Sequence, residues 1–418
     1  MTEDQSNGPL LPRTVIVHNE AFWRHEGCLY SPYSWWRFAD ALARHAQSAT
    51  LIPPLAEAPP PAEAKPVTPR HAEVTGRSFY NSSEEYYRHA LTRRRRLTED
   101  LGRAYSDADL VIVRAIDPVI LQACQLAWRM GKPTVLLICG NASSGSQYVT
   151  EGGLKAALAR AIVRRLRRLE LRAARGSTLV AAWGEEIQKV FRAVNPSVAL
   201  AAAPALSSAQ IHRREDTSLH EPVRLLRVAR LLRNKGLEYL IDAIAMLTDR
   251  GRQVHLDILG GWDDDEYRRA LIRRVEQAGM ENRISFHGQV DFGEELFDFY
   301  RNADIHVVSS LSEGLARVIL EARAFGLPTI ATRVGGIPGV VRDCEDGLLV
   351  APSSAEQIAD AIERLCRDDG LRRSIIEQGH RLAERETVEF QSRRLATLIH
   401  RALGGEPLGQ AADDLHAL

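Results

Sequence analysis

The sequence predicts an α/β protein of two doubly wound, Rossmann-like domains that face an interdomain cleft. Three observations lead there. The chain has 418 residues, room for two domains at roughly 100–200 residues each. Short β-branched runs alternate with amphipathic stretches of helical period, as in βαβ units and parallel sheets. The alternation stops at the polar, strand-free Ser207–Glu221 and then restarts, which separates residues 1–206 from residues 207–385. Open α/β sheets take ligands beyond the carboxyl ends of their strands, so the cleft is expected there.

In the first half, strands are predicted at Thr14–His18, Leu110–Val113, Thr134–Ile138 and Thr178–Ala182, with a helix from about Tyr33 to His45. Pro53–Pro69, rich in Pro, Ala and Glu, is too poor in apolar residues for core and is expected to be a loop excursion. In the second half, strands are predicted at Leu225–Val228, Val254–Leu259, Ile284–Phe286, Asp304–Val308, Thr329–Thr332 and Leu348–Val350. The intervening helices are Leu237–Thr248, Asp265–Ala278, Glu294–Asn302, Leu315–Phe325, Ala355–Asp368 and Leu371–Arg385. A final helical stretch, Val388–Leu403 within residues 386–418, is expected to pack back on the first domain.

Charge divides unevenly between the halves. Lys+Arg and Asp+Glu balance at 54 each, which argues against a whole-chain nucleic-acid binder. Residues 1–210 nevertheless hold 26 basic and 19 acidic side chains, and residues 211–418 hold 28 and 35. Residues 155–175 alone carry eight basic residues and one acid, Glu170. With Leu158, Ile162, Leu166 and Leu169 at helical spacing, they predict an amphipathic basic helix. Two readings stand: attachment to an anionic membrane surface, or a core-packed helix with a solvated arginine face. Arg93–Arg96 would add to such a patch.

No stretch approaches the ~18 apolar residues of a membrane span. The polar opening run lacks a signal-peptide pattern. Five widely spaced cysteines without a Cys-x-x-Cys pair suit reduced thiols. A cytoplasmic protein is expected, with the basic helix allowing a peripheral place on the inner membrane face. The sequence contains no His-Glu-x-x-His, P-loop or Gly-x-Gly-x-x-Gly pattern, which demotes metalloproteases, P-loop ATPases and ordinary dinucleotide dehydrogenases.

Three elements of the second half carry chemistry. Arg230 and Lys235 flank a loop that runs from a strand end through Gly236 into a helix. Cations beside a helix N-terminus suit a diphosphate. Glu313-Gly314 follows the strand Asp304–Val308, and Glu321 lies two turns further on, on the same side of the helix. Carboxylates accept paired hydrogen bonds from vicinal hydroxyls, as in a sugar or a ribose. The alternative is that Glu313 caps the helix and Glu321 is an ordinary helix residue. Gly335-Gly336 after the strand Thr329–Thr332 forms either a turn or a backbone nest for phosphate or sugar.

In this order and spacing, from about Leu225 to Leu382, the three resemble the donor-binding domain of retaining GT-B fold glycosyltransferases of the glycosyltransferase family 4 group. Ser312-Glu-Gly-Leu315 and Glu321-Ala-Arg-Ala-Phe-Gly-Leu-Pro-Thr329 carry the resemblance most closely. It implies that Arg230 and Lys235 bind a nucleotide sugar's diphosphate, that Glu313 meets the transferred sugar, and that Glu321 meets the ribose. Backbone around Gly314, Leu315, Ala316 and Arg317 would reach the sugar and phosphate, and backbone near Phe286–Val290 the base. Arg230, Lys235 and Glu313 are thereby the expected catalytic residues. Gly339 departs from the pattern, since an acidic residue often follows the preceding proline.

For the first domain, the resemblance implies an acceptor site and a Gly-rich loop after the first strand, here Asn19–Tyr30, whose single glycine, Gly27, is the expected donor-binding residue of this domain. Phe22, Trp23, Tyr30, Tyr33, Trp35 and Trp36 crowd this region, either as stacking surfaces for sugar or as core. Where the family often has a His, this chain has Cys139-Gly140-Asn141. Asn141 and His25 are the acceptor-side candidates, His25 also for a base. The expected activity is hexosyl transfer from a UDP- or GDP-sugar to a hydroxyl acceptor, lipid-linked in one version, for polysaccharide, glycolipid or glycoconjugate synthesis. No cofactor, metal or nucleic-acid partner is expected. Asp263–Asp265 reads as an acid cluster at a helix start. The alternatives are a nucleotide-sugar epimerase of the same fold and a non-catalytic donor-binding scaffold.

Overall fold

The computed structural model describes residues 8–77, 90–114, 119–139, 154–214, 217–262, 264–314 and 316–414. The chain forms two compact units, Met1–Ala205 with Val388–Leu418, and Leu206–Thr387.

The first unit's strands are β1 (Thr14–Val17), β2 (Phe22–His25), β3 (Cys28–Ser31), β4 (Ala49–Ile52), β5 (Leu55–Glu57) and β6 (Lys65–Val67). They continue with β7 (Glu73–Val74), β8 (Leu110–Arg114), β9 (Thr134–Ile138), β10 (Leu179–Ala182) and β11 (Val198–Leu200). Seven of them form a sheet in the order β11-β10-β9-β8-β1-β4-β7, with the paired strands parallel. Both faces are covered, so β1, β8 and β9 read as unbroken apolar runs instead of alternating ones. The helix Val388–Leu403 belongs to this unit: Leu395, Leu398 and Ile399 share a core with Trp35, Phe38 and Leu42. Arg394 anchors it by donating to the Leu200 carbonyl at 2.8 Å.

Two expectations are corrected here. Pro53–Pro69 is not simply a loop excursion, because it supplies β5 and β6 to a second, four-stranded sheet in the order β5-β2-β3-β6. Strand pairing with β2 and β3 makes up for its apolar poverty, and Pro66 is tolerated because β6 is an edge. The expected Gly-rich loop is a hairpin: His25 pairs with Cys28 across Glu26 (φ 50°) and Gly27 (φ 77°). Two central residues at positive φ match a type I′ turn, whose twist suits a hairpin.

The second unit comprises β12 (Val223–Val228), β13 (Val254–Leu259), β14 (Ile284–Gly288), β15 (Ile305–Val308), β16 (Thr329–Thr332) and β17 (Leu348–Val350). The sheet order is β14-β13-β12-β15-β16-β17, all parallel. Leu225, Val307 and Ile330 pack on one face with Leu240, Ile244, Ile358 and Ile362. Leu226 and Leu259 pack on the other with Phe297, Tyr300 and Phe325. Strand order reverses between β12 and β15, so the loops leaving those strands lie side by side at a topological switch point. Ser207–Glu221, expected as a linker, is tied to this unit: Arg214 donates to the Arg301 carbonyl at 3.1 Å and Arg213 pairs with Glu384 at 3.0 Å. Its polar side chains thus satisfy helix-end carbonyls and surface charge. Among the described residues, no helix is long and apolar enough to cross a membrane.

Candidate functional site

Two loops build the site in the second unit. After β12 the chain makes one turn, Arg233–Lys235, and enters the helix Leu237–Asp249 through Gly236 in the left-handed conformation. A Cβ on Gly236 would lie 2.3 Å from the Ser309 carbonyl, so the close approach of the two loops requires glycine. Backbone joins them where Leu311 N–H donates to the Asn234 carbonyl at 2.8 Å. Ser309 Oγ adds a bond to the Lys235 carbonyl at 2.9 Å.

Lys235 Nζ donates to Glu313 Oε2 at 2.6 Å, and Ser310 Oγ donates to the same oxygen at 3.0 Å. Glu313 does not cap the following helix, Arg317–Ala324, whose N-cap residue is Ala316. Glu321 accepts from Tyr300 Oη at 2.8 Å. Burial raises the Glu321 carboxyl's pKa, against the lowering effects of Arg317 and the Tyr300 bond. Burial also holds the Tyr300 hydroxyl well above its ordinary value, helped by the Glu321 charge.

A cavity of about 310 Å³ gathers Arg230, Lys235, Glu313, Ala316, Arg317 and Glu321 in its lining. Ile319 N–H bonds the Ala316 carbonyl at 2.9 Å, and the N–H groups of Arg317 and Val318 at the helix start favour an anion. The cavity thus combines cations, helix-start N–H groups and two carboxylates, a set suited to a molecule with both phosphates and hydroxyls. Arg230 and Arg317 are exposed, whereas Lys235 and Glu313 are largely covered.

Gly335-Gly336 supports this site from outside. The Gly336 N–H donates to the Gly314 carbonyl at 3.1 Å, and a Cβ on Gly335 would meet the Glu313 carbonyl at 1.8 Å. The pair is therefore a turn that seats the Glu313 loop, and the Gly336 N–H is already engaged. Asp264 N-caps the helix Asp265–Gln277 by accepting from Tyr267 N–H at 2.9 Å. Among the described residues, no group of three or more His, Cys, Asp or Glu forms a metal site.

The stretch 209–382 matches the family model described as Glycosyl transferases group 1. It is a group 1 glycosyltransferase domain. The curated relatives agree in the same region. The lipopolysaccharide core biosynthesis glycosyltransferase LpsE of Rhizobium meliloti is 36% identical over 165 residues, 40% of this chain and 45% of that protein. The D-inositol 3-phosphate glycosyltransferase of Corynebacterium glutamicum is 37% identical over 186 residues, 43% of each chain. This chain therefore spans less than half the length of these matched relatives.

Solved structures extend the likeness in fold beyond the group 1 domain. Anabaena HepE, crystallised with UDP, aligns over 94% of this chain and 100% of that one, with 16% identity and a TM-score of 0.69. Sucrose-phosphate synthase from Thermosynechococcus elongatus aligns over 95% and 100%, with 18% identity and a TM-score of 0.70. At such identities the likeness shows the fold alone. The two Rossmann-like units fit the GT-B fold.

The other sequence candidates fall outside the described residues or belong to the first unit. Leu315 and Asn141 are outside the described residues. Gly27 and His25 belong to the β2–β3 hairpin, where His25 Nε2 lies 3.8 Å from Glu26 Oε1. Of the crowded aromatics, Phe22 and Trp35 are core, Trp23 faces Tyr30 across the hairpin, and Tyr33 is half exposed.

Sequence reasoning missed a second polar cluster, where the first unit's strand order reverses between β1 and β8. Arg114 donates to Glu20 Oε1 at 2.8 Å, Asn19 Oδ1 at 3.1 Å and Cys139 Sγ at 3.2 Å, and it stacks 4.7 Å over the Trp35 ring. Beside it, His18 is fully buried, and neither ring nitrogen has a hydrogen-bond partner among the described residues. Burial, with the charges of Arg114 and Arg77, holds the imidazole well below its ordinary pKa. The available signal was His18-Asn19-Glu20, a polar run directly after an apolar strand.

Proposed function

We propose that the protein is a retaining glycosyltransferase that moves a hexosyl unit from a UDP- or GDP-sugar to a hydroxyl acceptor. The observation that carries this reading is the cavity that Arg230, Lys235, Glu313 and Glu321 line together in the stretch matching the group 1 model. Glu313 and Glu321 suit the hydroxyls of the sugar and of the ribose, and Arg230 and Lys235 suit the diphosphate. The likeness to HepE, whose structures include one with UDP-glucose, is in keeping with a donor of this class.

In the reaction, the bond from the anomeric carbon to the diphosphate oxygen breaks and its electron pair leaves with the phosphate. The acceptor oxygen attacks the same face of an oxocarbenium-like centre, and its proton passes to the departing phosphate oxygen. Arg230 and Lys235 stabilise the charge that develops on the leaving group. No cofactor takes part, and these side chains supply the positive charge that a metal ion would otherwise bring.

Incubation with UDP-, GDP- and ADP-sugars and a membrane-lipid extract tests the reading. Release of a nucleoside diphosphate, with a product of unchanged anomeric configuration by NMR, is expected. Tight donor binding without turnover would favour a non-catalytic scaffold, and conversion to an epimeric sugar would favour the epimerase.

We also propose a cytoplasmic protein that meets an anionic membrane and a lipid-linked acceptor through the helix Leu154–Gly176. Its exposed Arg160, Arg164, Arg165 and Arg168 accompany Ile162, Val163 and Leu166, which are only partly covered. Among its described residues, core packing lies at the C-terminal end, around Leu169–Ala174. Vesicles of phosphatidylglycerol and phosphatidylcholine should float the wild type but not a variant with Arg164, Arg165, Arg167 and Arg168 changed to Gln. Equal flotation would reject this placement.

A further inference from the structure

Arg227 is a residue that the donor-site assignment does not use. It lies near the end of β12, is 1% exposed, and yet contributes to the cavity lining. One of its terminal nitrogens donates to Ser310 Oγ at 3.0 Å. Its Nε has no hydrogen-bond partner, and it forms no ion pair among the described residues. A buried guanidinium without a carboxylate partner is costly to keep. Burial lowers its pKa to about 10, with Glu313 the leading opposing charge, so it stays cationic at neutral pH.

The hydrogen-bond polarity makes a relay. Arg227 donates to Ser310, whose single hydroxyl proton is directed to Glu313 Oε2, the oxygen that also receives Lys235 Nζ. A diphosphate entering the cavity competes for the Lys235 ammonium. Once that cation is drawn to phosphate, Glu313 keeps only the bond from Ser310 out of this pair. Arg227 is enclosed by the strand end and cannot follow the ligand as Lys235 can.

We propose that Arg227 is a positioning residue for sugar transfer: acting through Ser310, it holds Glu313 in place while Lys235 engages the donor's diphosphate. This rests on the donor-site reading above. It adds a division of labour between two cations, one exchanging partners and one fixed beneath the site.

The test compares wild type, Arg227→Met, Arg227→Lys, Ser310→Ala and the Met/Ala double variant. Binding of UDP, GDP and ADP by calorimetry is set against kcat and KM with the matching nucleotide glucose, and melting temperatures monitor the fold. Arg227→Met and Ser310→Ala should each lower kcat by roughly 10–100-fold while nucleoside diphosphate affinity changes by less than about threefold. Arg227→Lys should recover part of the loss. The double variant should be little worse than either single one, because both break the same relay. Ser310→Ala keeps the test informative if Arg227→Met does not fold.

Parallel loss of nucleoside diphosphate affinity and kcat would make Arg227 a direct phosphate ligand, and multiplying effects would make the two residues independent. Either result, or unchanged kcat in both single variants, overturns the assignment. A wild type that binds no nucleoside diphosphate would instead overturn the donor-site reading beneath it.

Discussion

Lys235 Nζ and Glu313 Oε2 stand 2.6 Å apart, bridging two loops separated by 78 residues of chain. Their side chains are 17% and 16% exposed, between the exposed pairs that contribute little and the buried pairs that break at high cost. Lys235→Met or Glu313→Gln should each destabilise the second unit by about 1–3 kcal/mol in urea unfolding. The double variant should lose less than the sum, since the second change removes a charge already left alone. Each single variant should lower kcat/KM by roughly 10²–10³-fold if the cavity is the transfer site.

Gly335 and Gly314 separate support from contact. Gly335 has φ +52°, and a Cβ there would meet the Glu313 carbonyl at 1.8 Å, whereas a Cβ on Gly314 meets nothing within 4 Å. Gly335→Ala should lower the melting temperature through a cost of about 1–3 kcal/mol and weaken nucleotide binding by displacing the Glu313 loop. Gly314→Ala should melt near the wild-type temperature and show its effect chiefly in donor affinity. Calorimetry and thermal melts on both variants make the comparison.

Arg323 is 1% exposed and bonds Asp346 at 2.7 Å and Glu386 at 2.6 Å. It also donates to the Val340 carbonyl, tying the helix that carries Glu321 to the loop before β17. Arg323→Met would take this cation away from two buried carboxylates. A loss of about 3–5 kcal/mol is expected in urea unfolding. Asp346→Asn should be milder, because Glu386 still neutralises the arginine.

Glu170 supplies a pH signature in the first unit. It is 2% exposed, neither carboxyl oxygen has a partner among the described residues, and burial raises its pKa to about 7. A carboxyl raised in the folded state binds more protons there than when unfolded. Stability therefore falls as pH rises from the unfolded value of about 4.3 towards about 7, then levels off, by a total on the order of 4 kcal/mol. Glu170→Gln should remove that slope. Thermal melts should show it more stable than wild type at pH 8, with the advantage gone by pH 4.5.

Arg230, Lys235, Glu313 and Glu321, which line the cavity, were legible in the sequence because each sits at a fixed offset from a strand end or a helix start. Arg230 and Lys235 follow β12, and Glu313 and Glu321 bracket the start of Arg317–Ala324. Spacing along one chain segment is enough to find them. Pro53–Pro69 was misread because composition reports apolar content but not pairing partners, and β5 and β6 exist only against β2 and β3. Gly335-Gly336 looked the same locally whether its N–H groups faced a ligand or a neighbouring carbonyl.

By itself the sequence determined the alternation of strands and helices, its restart in the second half, and the offsets of the carboxylates and cations that line the cavity. All are set by periods and offsets that local sterics and hydrogen bonding impose. Tertiary structure decided that Lys235 meets Glu313, that Arg227 reaches Glu313 through Ser310, and that Glu170 loses its water. The physical reason is adjacency: β12 lies beside β15 only once the sheet has formed. Charges far apart in the chain then share one low-dielectric site.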